Sequence, residues 1–190
     1  MIILAVFYHV VNNGFMAIEN VNSKNLRVLG IDASLRSTGL AVVEASGSRM
    51  CAVWHGRIRN PPTRPLSGCL LAAEEEIAAQ IEAYQPQAAA IEGVFFAKNM
   101  RTTLILGHMR GVLIAQCARR GIPVYEYEPR RVKQAVVGYG GAVKTQMQQM
   151  VMKLLVLDKP PQEDEADALA LAICHLHNAT RLRLTGQEPL

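Results

Sequence analysis

LRVLGID, residues 26–32, decides the architecture: it is a near-continuous apolar run of strand length that closes on an acid. Such a run, with no polar alternation, reads as a strand buried in the middle of a sheet. Two further strands follow at once, GLAVVEAS (39–46) and MCAVWHGRI (50–58), joined across the turn-forming Ser46, Gly47 and Ser48. Short strands in such close succession predict an antiparallel meander. The prolines between Asn60 and Gly68 predict a loop, and Leu70 to Tyr84 has helical spacing with Glu74, Glu75 and Glu76 on its wet side. Pro86 stops that helix, and AAAIEGVFF (88–96) reads as a fourth, buried strand.

Beyond it, Thr102 to Arg120 is helical and ends at Gly121, a residue suited to the left-handed position after a helix. IPVYEYE (122–128) is a fifth strand. Pro129 opens a short helix, Gly138 to Gly141 breaks it, Val143 to Leu157 is helical, and DKPPQ links to a last helix from Glu163 to about Asn178. The order βββ-α-β-α-β-α-α-α predicts an α/β protein with a five-stranded mixed sheet flanked by helices. Residues 26–180 form one domain, followed by a tail at 181–190. Residues 1–25 are read as a loosely ordered extension, with Met16 as an alternative start. Its apolar stretch MIILAVFYHVV lacks the basic flank of a signal peptide and is too short to span a bilayer, so a cytoplasmic protein with no membrane association is expected.

Half of the 190 residues are apolar and 19% are charged, which excludes a disordered chain. The net charge of +4 is unevenly spread. Nine basic residues but only Glu126 and Glu128 lie between Lys98 and Lys144, giving +7 there against −3 elsewhere. That asymmetry fits either a surface for a polyanion, with nucleic acid as the default, or merely solvated helix faces. Cys51, Cys69, Cys117 and Cys174 have no zinc spacing and read as reduced thiols. His175 and His177, two apart on a helix, make a poor metal pair.

The acids carry the chemistry. Asp32 ends one apolar strand and Glu92 another, and strand ends are where open sheets gather their sites. These two can meet only if the first and fourth strands are neighbours. Asp164 and Asp167, three apart, share a face at the start of the last helix. Carboxylates gathered in a partly dry cleft repel unless a cation balances them, and hard oxygen donors suit Mg²⁺. Acids in a first turn can equally just complement the helix dipole. Glu163 and Glu165 are read that way, whereas Asp167, between Ala166 and Ala168 and ahead of a buried run, fits a bare solvated role poorly.

Four blocks go further: GIDASLRSTG, AIEGVFFAKN, YEYEPRRVKQAVVGYGGAVKTQ and PPQEDEADALALAICHLH resemble, in order and spacing, those of the RuvC family of Holliday junction resolvases. The likeness covers roughly Leu26 to Asn178. It implies an RNase H-like fold and a metal-dependent endonuclease of recombination and repair that makes paired symmetric nicks in four-way junctions. It also implies a homodimer, work beside a branch-migration helicase complex, and two Mg²⁺ ions per site, with Mn²⁺ as a substitute. Position by position, the metal ligands and catalytic acids are Asp32, Glu92, Asp164 and Asp167. Phe95 is the aromatic wedge, with Phe96 facing in. Lys133 and Lys144 stand near the scissile phosphate, Lys144 in a catalytic role. Lys98, Asn99, Arg101, Arg130 and Arg131 contact DNA. Two departures, Ala33-Ser34 where the family usually has Pro-Gly and Gly93 where it often has Gln, remove no ligand but bear on the loops at the site.

The dimer interface is expected on the helix from Thr102 to Arg120, through Leu104, Leu106, Met109, Leu113 and Cys117. Packing of that same face on the sheet is the alternative. Three other functions compete. GIDASLRSTG resembles the phosphate loop of sugar kinases and actin-like ATPases, but those need two domains closing on a nucleotide. A non-catalytic nucleic-acid-binding module, and an RNase H-like nuclease acting on other branched or RNA-containing substrates, are the remaining alternatives.

Overall fold

A computed structural model describes residues 25–93, 100–185 and 188–190. Five strands, β1 (Leu26–Asp32), β2 (Ser37–Ser46), β3 (Arg49–Arg59), β4 (Ala88–Glu92) and β5 (Val124–Tyr127), form a single sheet in the order β3-β2-β1-β4-β5. The first three pair antiparallel, as the short connections require. β4 pairs parallel to β1, with Ile31 opposite Ile91, and β5 parallel to β4. The mixed sheet and the neighbouring first and fourth strands are as expected.

The helices are α1 (Leu66–Tyr84), α2 (Met100–Arg119), α3 (Pro129–Val137), α4 (Lys144–Leu154) and α5 (Glu163–Thr185). Alternation along the strands divides the core in two. Val28, Ala41, Val43 and Ala90 face α5, with α3 and α4 packed beyond it. Leu29, Ile31, Leu40, Val42, Ala89 and Ile91 face α1 and α2. The run from Ala168 to Cys174 is buried all round because α5 lies between the sheet and a second layer of helices.

Several boundaries differ from expectation. α1 begins at Leu66, inside the expected loop: Pro65 sits at its N-cap with φ of −64°, already compatible with helix entry. β4 ends at Glu92, short of the expected Phe96, and residues 94–99 lie outside those described. β5 is trimmed to four residues, and α5 continues past Asn178 to Thr185, into the expected tail. The expected N-terminal extension lies outside the described residues apart from Asn25.

The face of α2 expected to pair two subunits is largely core. Met109, Leu113 and Cys117 are fully buried against the sheet, and only Leu104 among the named residues is well exposed, at 59%. A period of 3.6 marks a face that is covered without saying by what, and here the sheet covers it. Cys69, Cys117 and Cys174 are buried free thiols, while Cys51 is exposed. His175 is buried, hydrogen-bonded to the Tyr127 hydroxyl at 2.9 Å, and its burial lowers its pKa to about 4. His177 donates elsewhere, to the Ala135 carbonyl at 3.0 Å. No helix among the described residues is long and apolar enough to cross a membrane.

Candidate active site

Strand alternation sets the first two acids. Val28 and Ala90 face α5, so Asp32 and Glu92, at even steps further along β1 and β4, emerge on that same face. The Ile31–Ile91 register brings them out abreast at the ends of neighbouring strands.

Two glycines bring the other pair to them. A Cβ on Gly30 would lie 2.8 Å from the Ala168 carbonyl carbon, and one on Gly39, the register partner of Asp32, would lie 2.5 Å from that of Asp164. The backbone of α5 therefore rests directly on β1 and β2, with no side chain between. That contact delivers the first turn of α5, with Asp164 and Asp167, to the end of β1.

Each acid of this turn has its own environment. Ser37 Oγ donates to Asp164 Oδ2, and Arg57 Nη1 stands 3.9 Å from the same oxygen. Glu163 accepts from Lys144 Nζ at 3.0 Å, and Glu165 pairs with His55 Nδ1 at 3.0 Å. Ser37, Arg57 and His55 were not singled out in the sequence. The signal was present only as polar residues interrupting apolar strands β2 and β3. Glu163 and Glu165, read as dipole complements, each also have a specific side-chain partner, the Lys144 ammonium and the His55 imidazole.

Burial and mutual repulsion set the electrostatics. Burial, then Asp167, Glu92 and Asp164 in that order, push the Asp32 carboxyl up to about 7, against a partial offset from Lys144. Glu92 is raised by burial and by Asp167, with Arg110 and Lys133 opposing. Asp167 is raised chiefly by burial, with Lys144 opposing. Glu92, Asp167, Lys133 and Lys144 line one cleft of about 230 Å³ with Pro129, Val132, Met147 and Leu171. Among the described residues no three carboxylate, imidazole or thiol side chains already converge tightly enough to hold an ion. The four acids share a field rather than a closed cage. Oxygen-only donors whose charge is this poorly compensated nevertheless fit a hard divalent cation, which would offset the burial and the repulsion that raise Asp32.

The Asp32 shift has a measurable consequence. A carboxyl with a raised folded pKa favours the folded state while protonated, so its penalty is absent below about pH 4, grows as pH rises through 7, and then levels off. Asp32→Asn removes it. Without metal at pH 8, the variant should be more stable than wild type by on the order of 3 kcal/mol, or about 6–12 °C in Tm. The gap should close towards pH 4, and excess Mg²⁺ should narrow it. Thermal melts over that range check this; a gap independent of pH would contradict it.

The other basic residues are dispersed. Arg130 is exposed beside Gly140, whose added Cβ would meet its Cγ at 2.7 Å. Arg131 is partly turned inward, with its guanidinium 5.4 Å from the Tyr127 ring centre and donating to Asn178 Oδ1 at 3.2 Å. Arg101, exposed in the first turn of α2, lines a separate groove with Leu35, Arg36, Leu104 and His108. Phe95, Phe96, Lys98 and Asn99 lie outside the described residues.

A family model described as crossover junction endodeoxyribonuclease RuvC matches residues 28–175. A protein of that name from Chloroflexus aggregans is 46% identical over 162 residues, 85% of this chain and 99% of that one. Among solved structures, Thermus thermophilus RuvC matches with a TM-score of 0.76 at 30% identity, over 87% of this chain and all of that one. The same organism's RuvC in complex with Holliday junction substrate matches with a TM-score of 0.77 at 27% identity, again over 87% and 100% of the two chains.

Proposed function

Because this chain belongs to the RuvC family of crossover junction endodeoxyribonucleases, we infer that it is a Holliday junction resolvase. One observation carries the assignment of its site: strand ends and a helix start, far apart in sequence, bring four acids into one another's field, two of them, Glu92 and Asp167, on the wall of a cleft that two lysines also line. Asp32, Glu92, Asp164 and Asp167 hold the divalent metal, two Mg²⁺ ions in this reading. When bound, the ions supply an activated water for in-line attack and stabilise the leaving oxygen. The chain's own residues do the rest. Ser37 and Arg57 orient Asp164. Lys144 and Lys133, on the cleft wall, offset charge on the phosphoryl oxygens. Arg101 and Arg130, with Lys98 and Asn99, track the DNA backbone, and Phe95 wedges into the crossover, where stacking on a splayed base contributes about 1–3 kcal/mol.

A two-fold symmetric homodimer follows from the substrate, since paired nicks need two clefts. Met109, Leu113 and Cys117 are taken up by the sheet, which leaves Leu104 and the partly exposed Leu106 of the expected α2 surface to meet a partner. Work in the cytoplasm beside a branch-migration helicase completes the reading. The test is incubation of the full chain with a mobile synthetic four-way junction and Mg²⁺, with linear duplex as control. Paired symmetric nicks in the junction alone are expected, and sedimentation at micromolar concentration should give twice the chain mass. Cutting of RNA-containing substrates in preference to junctions, or binding without cutting, would contradict the reading.

A further inference from the structure

We infer that Arg110 is a positioning residue for Glu92, fixing the end of β4 from the side of the sheet opposite the acid cleft. This rests on the reading of Glu92 as a site residue. Arg110 lies on α2 between Met109 and Leu113, facing the sheet, and is only 7% exposed. Its Nη1 donates to the main-chain carbonyl of Glu92, and its Nη2 donates to Glu126 Oε2 at 2.5 Å. Glu126 stands opposite Ile91 in the β4–β5 register and so emerges on the α2 face, whereas Glu92 emerges towards α5. One guanidinium thus ties the last residue of β4 to β5 from beneath, without touching the Glu92 carboxylate.

Gly93 completes the arrangement. Its N–H donates to the Tyr127 carbonyl at 2.9 Å, extending the pairing one step beyond β4. A Cβ there would press on Glu126 Oε1 at 3.2 Å, so the absent side chain leaves room for the carboxylate that Arg110 grips. A buried guanidinium is costly unless its donors are met, and an apolar residue would fill this position in α2 at less cost. What the fork adds is geometry, since two fixed donors hold two strands in one relation where an ammonium offers a single point. β4 is five residues long and Glu92 is its last, the place where fraying would displace a ligand most. Misplacing a site group by about 1 Å costs on the order of 100-fold in rate.

The test compares Arg110→Gln, Arg110→Lys, Glu126→Gln and Glu92→Gln as full chains on a synthetic four-way junction, measuring single-turnover cutting across Mg²⁺ concentration, junction affinity and Tm. Arg110→Gln should cut about 100-fold more slowly and need several-fold more Mg²⁺ for half-maximal rate, with junction affinity within about twofold of wild type. Arg110→Lys should recover part of the rate, and Glu126→Gln should share the raised Mg²⁺ requirement. If Arg110→Gln fails to fold, Arg110→Lys decides: a wild-type rate and Mg²⁺ dependence in it overturns the proposal. So does a parallel loss of junction binding and cutting, which marks a merely structural residue. Wild-type behaviour of Arg110→Gln beside an inactive Glu92→Gln sinks the brace and leaves the site intact. An active Glu92→Gln removes the premise instead.

Discussion

Asp32→Asn, Glu92→Gln and Asp167→Asn should each cut four-way junctions at least about 1000-fold more slowly than wild type while binding them about as well. Each change keeps the side-chain shape and removes one negative charge, so the fold survives. The cleft, however, loses the anionic oxygens that draw in a divalent ion. In the proposed reading affinity has another source, the basic surface and its counterion release, which these residues do not supply. Single-turnover cutting of a labelled junction in Mg²⁺, read beside a mobility shift without metal, separates the two. A variant that nicks near the wild-type rate removes its residue from the site. Asp164→Asn belongs in the same series. Ser37 and Arg57 would still hold the amide oxygen, so its loss should be the smallest of the four.

Gly39→Ala should be nearly as damaging although it touches no charge. Its new methyl would sit 2.5 Å from the Asp164 carbonyl carbon, against backbone that no rotamer change can clear. α5 must then back away, carrying Asp164 and Asp167 with it. The expected result is cutting reduced about 100-fold, with stability lowered by about 1–3 kcal/mol from overpacking. Gly30→Ala should act through Ala168 in the same way. Melting curves with junction cutting at saturating Mg²⁺ test both. Full activity in Gly39→Ala would show that α5 reaches the site without that contact.

These glycines also show where the sequence stops being legible. β1 and β4 could be read directly because buried parallel neighbours leave continuous apolar runs, and an acid closing each run stands out. The meander could be read because its connections are short. A glycine inside a strand, by contrast, reads only as weak β propensity until the element lying over it is known. Arg110 was hidden for a related reason: its place between Met109 and Leu113 is a buried position by period, but its partners, Glu92 and Glu126, belong to other elements. The same ambiguity affects the interface expected on α2, since a covered face has one period whatever covers it, and Met109, Leu113 and Cys117 of that face pack on the sheet. Proline-rich residues 60–65 masked the start of α1, because Pro65 reads as a breaker and acts as an entry.

The Lys144–Glu163 pair has a consequence for competition among cations. An ammonium left free at this cleft would be drawn to the Asp167 side and would occupy oxygens that a divalent ion needs. Glu163 keeps it at 3.0 Å on the rim instead, in a pair whose side chains are 71% and 63% exposed. So exposed a pair is worth at most about 1 kcal/mol. If the cleft takes a phosphate as proposed, that phosphate would meet little resistance in replacing Glu163. In that reading Glu163 is a surrogate anion that holds the lysine off the acids until DNA is seated.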